Sequence, residues 1–390
     1  MDGDRIVHDE SNDSRPDETG VISVLHPCLP PVDALVPYLR RIDASRTYTN
    51  WGPLVEELES RLCRLLQLPP DALVTASSGT AALVGAILAS AGRAQPGKPL
   101  AAIPAFTFVA TAVAVEQCGY QPYLVDVDPD TWLLDATRLQ EHTLLDRIGL
   151  VVPVGAFGRP VHQEAWLAFR ARTGIPVVID AAASFESFAQ DSARCAGDIP
   201  AALSFHATKS FATAEGGCVI TTDPRLSRSI EESLNFGFYS NRRSNCASTN
   251  GKMSEYHAAI GLAELDRWAE KSTMIEVTVE RYRERLHLAG LDDRFVGRPV
   301  LASCYALYRC ASLAEAARVQ DVFRRSDIEF RFWYGAGLLE QPYFSNLPHD
   351  GLEHTKRLAP LIIGLPIAVD LSSTAMNRIA TALQAAAERR

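Results

Sequence analysis

A lysine and an aspartate carry the chemistry this chain can do. Lys209 stands in LSFHATKSFATAEGGCVI (203–220), between one apolar run that ends at Phe205 and another over Cys218, Val219 and Ile220. Asp180 closes the apolar run IPVVID (175–180). A lysine between two buried strands is partly desolvated, which disfavours the ammonium and frees the amine to form an imine with an aldehyde. A carboxylate at the carboxyl end of a strand can keep a pyridine nitrogen protonated, and a protonated pyridine ring is an electron sink. The pair therefore suits pyridoxal phosphate (PLP). Each residue alone has a plainer use: a lysine in a Ser/Thr-rich loop is usually solvated, and an aspartate after a strand often caps a helix.

Two more groups lie at strand ends. Ser77, Ser78, Gly79 and Thr80 precede an Ala/Leu-rich helical stretch, and the unpaired first amides of a helix suit a phosphate. A bare cap is the simpler use of that tetrad. Phe106 and Phe108, in PAFTFVAT, either offer a face to a flat heterocycle or fill the core.

These residues need a scaffold that brings strand ends together, and the chain has its pattern. LVTASSGTAALVGAILAS and AAIPAFTFVATAVAVEQCG each give a short apolar run, a turn and a helix. YQPYLVDVD, RIGLVVPVGAFG and IPVVIDAAASF add further strands, the last preceded by the helical HQEAWLAFRARTG. Strands apolar on both faces and alternating with helices predict an α/β fold: a mostly parallel sheet covered by helices on both faces. In such a sheet ligands sit outside the carboxyl ends of the strands, where every group above falls. SEYHAAIGLAELDRWAE and TVERYRERLHL predict a long helix or helix pair leading to a smaller C-terminal α/β domain, which contains SCYALYRC, LAEAARVQDVFRR and a final helix. The expected division is an arm over 1–20, a large domain over 21–265, and a linking helix with the small domain over 266–390.

The 390 residues are enough for two domains. The chain is 47% hydrophobic and 22% charged, with a net charge of −9, which argues against a nucleic-acid surface. No apolar stretch approaches ~18 residues, so no membrane span is expected. Eight cysteines without CxxC spacing are expected to be buried, reduced thiols, with no metal site. The first twenty residues are polar and acidic, unlike a signal or transit peptide, and are expected to be disordered. Cytoplasmic location is the matching expectation.

An ordered set of motifs extends this reading: TNWGP (49–53), SSGTAAL (77–83), PAFTFVATA (104–112), VDVD (125–128), VPVGAFGRP (152–160), IDAAASF (179–185), SFHATKSFATAEGG (204–217), NFGF (235–238) and NGKMSEYHAAIGL (250–262), with GLP at 364–366. The set resembles the DegT/StrS-type sugar aminotransferases, fold-type I PLP enzymes. The resemblance implies Lys209 as the Schiff-base lysine and Asp180 as the pyridinium partner. It implies Gly79, Thr80 and Ser204 at the phosphate, and Phe108 at the ring face. Asn250 matches an asparagine that reaches the cofactor of a neighbouring subunit, which implies a homodimer with shared sites. Where the family commonly has His or Gln near the cofactor's phenolic oxygen, this chain has Ala183.

The implied activity moves an amino group from an amino acid, glutamate by resemblance, to a nucleotide-linked ketosugar, with a 4-keto-6-deoxyhexose as the favoured acceptor. Arg331, Trp333, Tyr334, Arg242 and Arg243 are candidates for the sugar-nucleotide pocket, and His206 either meets substrate or packs. Three alternatives remain at this level. A free keto-cyclitol aminotransferase would need no nucleotide pocket. A PLP-dependent sugar dehydratase would carry His in place of Lys209. A non-catalytic PLP-binding sensor would have no use for a reactive amine.

Overall fold

A computed structural model describes residues 20–297 and 299–387. The acidic arm expected over 1–20 lies, apart from Gly20, outside them. Seven strands build the main sheet: β1 (Leu73–Ala76), β2 (Leu100–Pro104), β3 (Gln121–Val125), β4 (Ile148–Val151), β5 (Ile179–Asp180), β6 (Ala201–Ser204) and β7 (Gly217–Ile220). β2 pairs in parallel with β3 and with β4, and β5 in parallel with β6. Parallel bridges Val151–Val177 and Val154–Asp180 join the two halves. β7 alone runs against its neighbours, antiparallel to both β6 and β1.

Alternate residues of these strands enter two different cores. Leu100, Ala102, Cys218 and Ile220 pack on one face with the helices Pro53–Leu65 and Gln163–Thr173 and the start of Glu255–Leu288. Ala101, Ile103 and Val219 pack on the other with Gly79–Ser90, Val109–Gln117 and Pro224–Leu234. The period of two along each strand puts apolar side chains on both faces, so both faces take helices.

Of IPVVID only Ile179–Asp180 is strand, which corrects the continuous strand expected there. Pro176 has no N–H to donate, and Val177 instead bridges to β4. The long helix or helix pair expected after Met253 is one helix of 34 residues, Glu255–Leu288, N-capped by Ser254. Its distal half carries Tyr282 and Leu286 into a third core, with β9 (Ala306–Arg309) and the helices Leu313–Arg325 and Ser373–Ala387. There β9 pairs antiparallel with β8 (Phe295–Val296) and β10 (Ile362–Leu365).

The division at 265 is less clean than its expectation. Ile22 and Leu25 bridge to Ile328 and Ile367, so this early segment runs along the smaller unit. Leu338, Phe344 and Leu352 return to a core of the large one. Apolar side chains, not chain order, decide where each segment is buried. Cys246 is exposed, against the expectation of buried thiols. Among the described residues no helix is long and apolar enough to cross a membrane.

Candidate active site

The ends of β1 and β6 lie level with the start of β7, because Gly217 pairs with both Ala76 and Ser204. That register sets Ser77–Thr80 beside Ser204. A Cβ on Gly79 would stand 2.6 Å from Ser204 Cβ, and one on Gly217 would stand 2.8 Å from the Gly79 amide nitrogen. Only glycine lets the chains approach this closely. Ser78 Oγ accepts from the Ala81 amide at 3.0 Å, while the first-turn amides at Gly79 and Thr80 have no acceptor within their own helix. The result is a small cradle of N–H groups with a serine hydroxyl beside it, suited to a phosphate.

Asp180 stands at the end of β5 and is 7% exposed. Its Oδ2 accepts from Thr111 Oγ1 at 2.7 Å and its Oδ1 from the Ala182 amide at 3.1 Å. Burial raises its proton affinity, against those hydrogen bonds and the nearby Lys209 charge. A buried carboxylate with only neutral donors is costly unless a cation faces it, and a pyridinium nitrogen is such a cation.

Lys209 is half-buried in the loop between β6 and β7. Its amide donates to the His206 carbonyl at 2.8 Å, which closes the turn that presents the side chain. Its Nζ lies 3.0 Å from the Tyr305 hydroxyl. The residues present therefore fit PLP: an amine for the aldehyde, a buried carboxylate for the ring nitrogen and a glycine-tight amide cradle for the phosphate.

The remaining candidates separate. Phe108 is 57% exposed at the start of Val109–Gln117, so it is not core packing. Phe106 is core: it packs against Trp132, Phe157 and Tyr334. Tyr334 stacks on Phe157 at 4.3 Å, and its hydroxyl accepts from the Phe157 amide at 2.9 Å. Its hydroxyl thus holds a loop of the large unit. Arg331 lies over Trp333 at 5.7 Å, and Trp333 meets Tyr305 edge-on.

His206 is exposed, with Nδ1 bonded to Thr208 Oγ1 at 2.9 Å, a contact that shapes its own loop. Arg242 and Arg243 lie exposed in the segment after NFGF. Asn250 is exposed, and its carboxamide oxygen accepts from Lys252 Nζ at 2.8 Å. The next residue, Gly251, accepts from the Ser77 amide at 2.7 Å, so this segment borders the cradle.

Three residues escaped sequence reasoning, two at the site and one that anchors a supporting helix. Thr111 follows Thr107 by four, and their hydroxyls meet at 2.9 Å; that helical spacing at a strand end was the available signal. Glu255 is fully buried and accepts from the amides of Leu54 and Val55, fixing the helix that follows TNWGP. Tyr305 left no mark, since its neighbour is more than ninety residues away in sequence.

Fold and site together define a fold-type I PLP-dependent aminotransferase. Residues 33–384 match the DegT/DnrJ/EryC1/StrS aminotransferase family, and the chain belongs to it. It is 33% identical over 377 residues to Protein Rv3402c of Mycobacterium tuberculosis, covering 94% of this chain and 90% of that one. It is 29% identical to the dTDP-4-amino-4,6-dideoxy-D-glucose transaminase of Shigella dysenteriae, covering 93% of this chain and 98% of that one. Among solved structures, DesI in the presence of its TDP-sugar product superposes with a TM-score of 0.82 at 29% identity, covering 95% of this chain and 93% of that one.

Proposed function

We propose that this enzyme transfers an amino group from an amino acid, glutamate, to a ketosugar carried on a nucleoside diphosphate, a 4-keto-6-deoxyhexose, giving the aminosugar. The observation that carries the activity is the convergence of Lys209, Asp180 and the Gly79 cradle at one sheet edge. The substrate class rests on two relatives over nearly the whole chain, one named for a dTDP-aminosugar and one holding a TDP-sugar.

PLP, when bound, supplies the electron sink that stabilises negative charge at the carbon losing its proton. The chain's own residues do the rest. The Gly79 and Thr80 amides and Ser204 hold the phosphate, and Asp180, oriented by Thr111 and the Ala182 amide, keeps the ring nitrogen protonated. Phe108 covers a ring face. Lys209 Nζ, as a free amine, would take the proton from the donor's α-carbon and hold it for return. The same nitrogen serves the reverse sequence with the ketosugar. A lysine at this position favours transamination over dehydration, and over a binding-only role.

The test is an absorbance spectrum of the purified protein with PLP, before and after glutamate, followed by a screen of ketosugar nucleotides. A visible band that gives way to a near-ultraviolet band on adding glutamate supports the donor, and turnover of a nucleotide-linked 4-ketosugar supports the acceptor. A band indifferent to glutamate overturns the donor, and absence of any band overturns the assignment.

A further inference from the structure

Tyr305 sits where no part of the proposed chemistry has yet used it. Its hydroxyl is 3.0 Å from Lys209 Nζ, and the residue is 8% exposed. Its ring meets Phe157 edge-on at 5.3 Å and Trp333 at 5.4 Å, so its sides are apolar and the hydroxyl points to the lysine. The approach is fixed from the large unit. The Ser303 amide donates to buried Glu186 at 2.7 Å, the Ala302 amide donates to the Phe157 carbonyl at 2.9 Å, and the Tyr305 amide returns to the Ala302 carbonyl at 3.0 Å. Two hydrogen bonds across the units and one turn within the segment thus hold one hydroxyl against one amine.

Three residues after Asp180 no polar side chain is offered. Ala183 is buried and offers only a methyl group. The groups that face Lys209 from the elements packed around it are Asp180, Cys304, Tyr305 and Tyr334, with Lys271 and His26 across an adjoining cavity. Of these Tyr305 is the one whose side chain hydrogen-bonds to Nζ.

We propose that Tyr305 is a positioning residue for Lys209: its hydroxyl accepts from Nζ, aims the nitrogen between cofactor and substrate, and favours its protonated form. This rests on the PLP assignment. Burial keeps the phenol neutral, its proton affinity pushed well above the ordinary tyrosine range, so it holds a proton on the lysine nitrogen without taking the charge itself.

The experiment is a pH titration of the visible band in the PLP-loaded wild type and Tyr305→Phe, with thermal unfolding of both as the control on packing. Phenylalanine keeps the ring contacts and removes only the hydroxyl. The expected result is a titration midpoint lowered by about one pH unit with an unfolding midpoint close to wild type, and a kcat reduced about tenfold at unchanged KM. An unchanged or raised midpoint in a folded, PLP-loaded variant overturns the role of Tyr305 and leaves the cofactor assignment standing. A wild type that shows no visible band overturns both. If Tyr305→Phe unfolds, Trp333→Phe, which weakens one of the two ring contacts that aim the hydroxyl, decides: a lowered titration midpoint supports the role of the hydroxyl, and an unchanged one overturns it.

Discussion

Thr111 Oγ1 stands 2.7 Å from Asp180 Oδ2, and the same hydroxyl meets Thr107 Oγ1 at 2.9 Å. The threonines come from the β2 end and the start of the following helix, the aspartate from the β5 end, so two strand ends fix one carboxylate. The second carboxylate oxygen is held by the Ala182 amide. With each oxygen already accepting a hydrogen bond, the carboxylate's direction is set before any cofactor arrives.

Asp180→Asn removes the charge while keeping much of this hydrogen bonding. It should retain PLP but lower transamination by about two orders of magnitude, because the ring nitrogen loses its anionic partner. Cofactor content by absorbance and turnover with glutamate check it; near-normal turnover would mean that another group protonates the ring. Thr111→Val should cost about 1 kcal/mol of the same effect, the worth of one hydrogen bond.

Lys209→Ala should fold like wild type, since Lys209 is only half-buried and lends its side chain to no core cluster. It should lose the covalent link to PLP and all measurable turnover. A visible band that persists in this variant would place the linkage on another lysine.

Gly79→Ala brings a methyl carbon to within 2.6 Å of Ser204 Cβ and 3.1 Å of its Cα, atoms fixed to the β6 backbone with no room to yield. Strand and helix must part, which should cost about 1–3 kcal/mol of stability and open the phosphate cradle. PLP titration followed by thermal unfolding should show at least tenfold weaker binding on top of a lower midpoint for the cofactor-free protein. Unchanged PLP affinity would remove the cradle from this position.

Much of this was legible beforehand, for physical reasons. Runs apolar at every position announced strands buried on both faces, and Lys209 and Asp180 were readable because their chemistry sits at strand ends marked by sequence. The family resemblance places Ser204 and Gly79 together at the phosphate, but their contact depends on the β1–β7–β6 register, which no local pattern encodes. Tyr305 was invisible because its meaning comes from a lysine on another unit. Ile22 enters the third core, which one apolar residue in a short segment does not announce.

Glu59 supplies a pH dependence away from the chemistry. Its Oε1 accepts from the Thr75 amide at 2.7 Å, the Thr75 hydroxyl at 2.8 Å and Trp51 Nε1 at 3.2 Å. Desolvation outweighs these bonds and pushes its carboxyl up from 4.5 to about 7. The folded chain therefore holds this proton more tightly than the unfolded one. The resulting stabilisation is complete below about pH 4.5 and drains away as pH rises through about 7. Glu59→Gln keeps the accepting oxygen without ionising, so it should flatten this part of the slope and exceed wild type by about 3 kcal/mol at pH 8. Urea midpoints at pH 5 and pH 8 measure it; parallel slopes in the two proteins would exclude Glu59 as the cause.

Asn250 tests whether sites are shared between subunits. It is exposed, its oxygen held by Lys252, and its segment borders the cradle through the Gly251–Ser77 hydrogen bond. If the homodimer proposed from the family resemblance builds each site from Lys209 of one chain and Asn250 of the other, then Lys209→Ala and Asn250→Ala should each be impaired alone. Mixed and allowed to exchange subunits, they would form dimers in which one site carries both lesions and the other carries neither. With random exchange, half the dimers are mixed and half their sites are intact, so activity should recover to about a quarter of wild type. Differently tagged chains recovered together would verify that exchange took place. Absence of recovery after that verification would assign Asn250 to its own chain's site and make each subunit complete by itself.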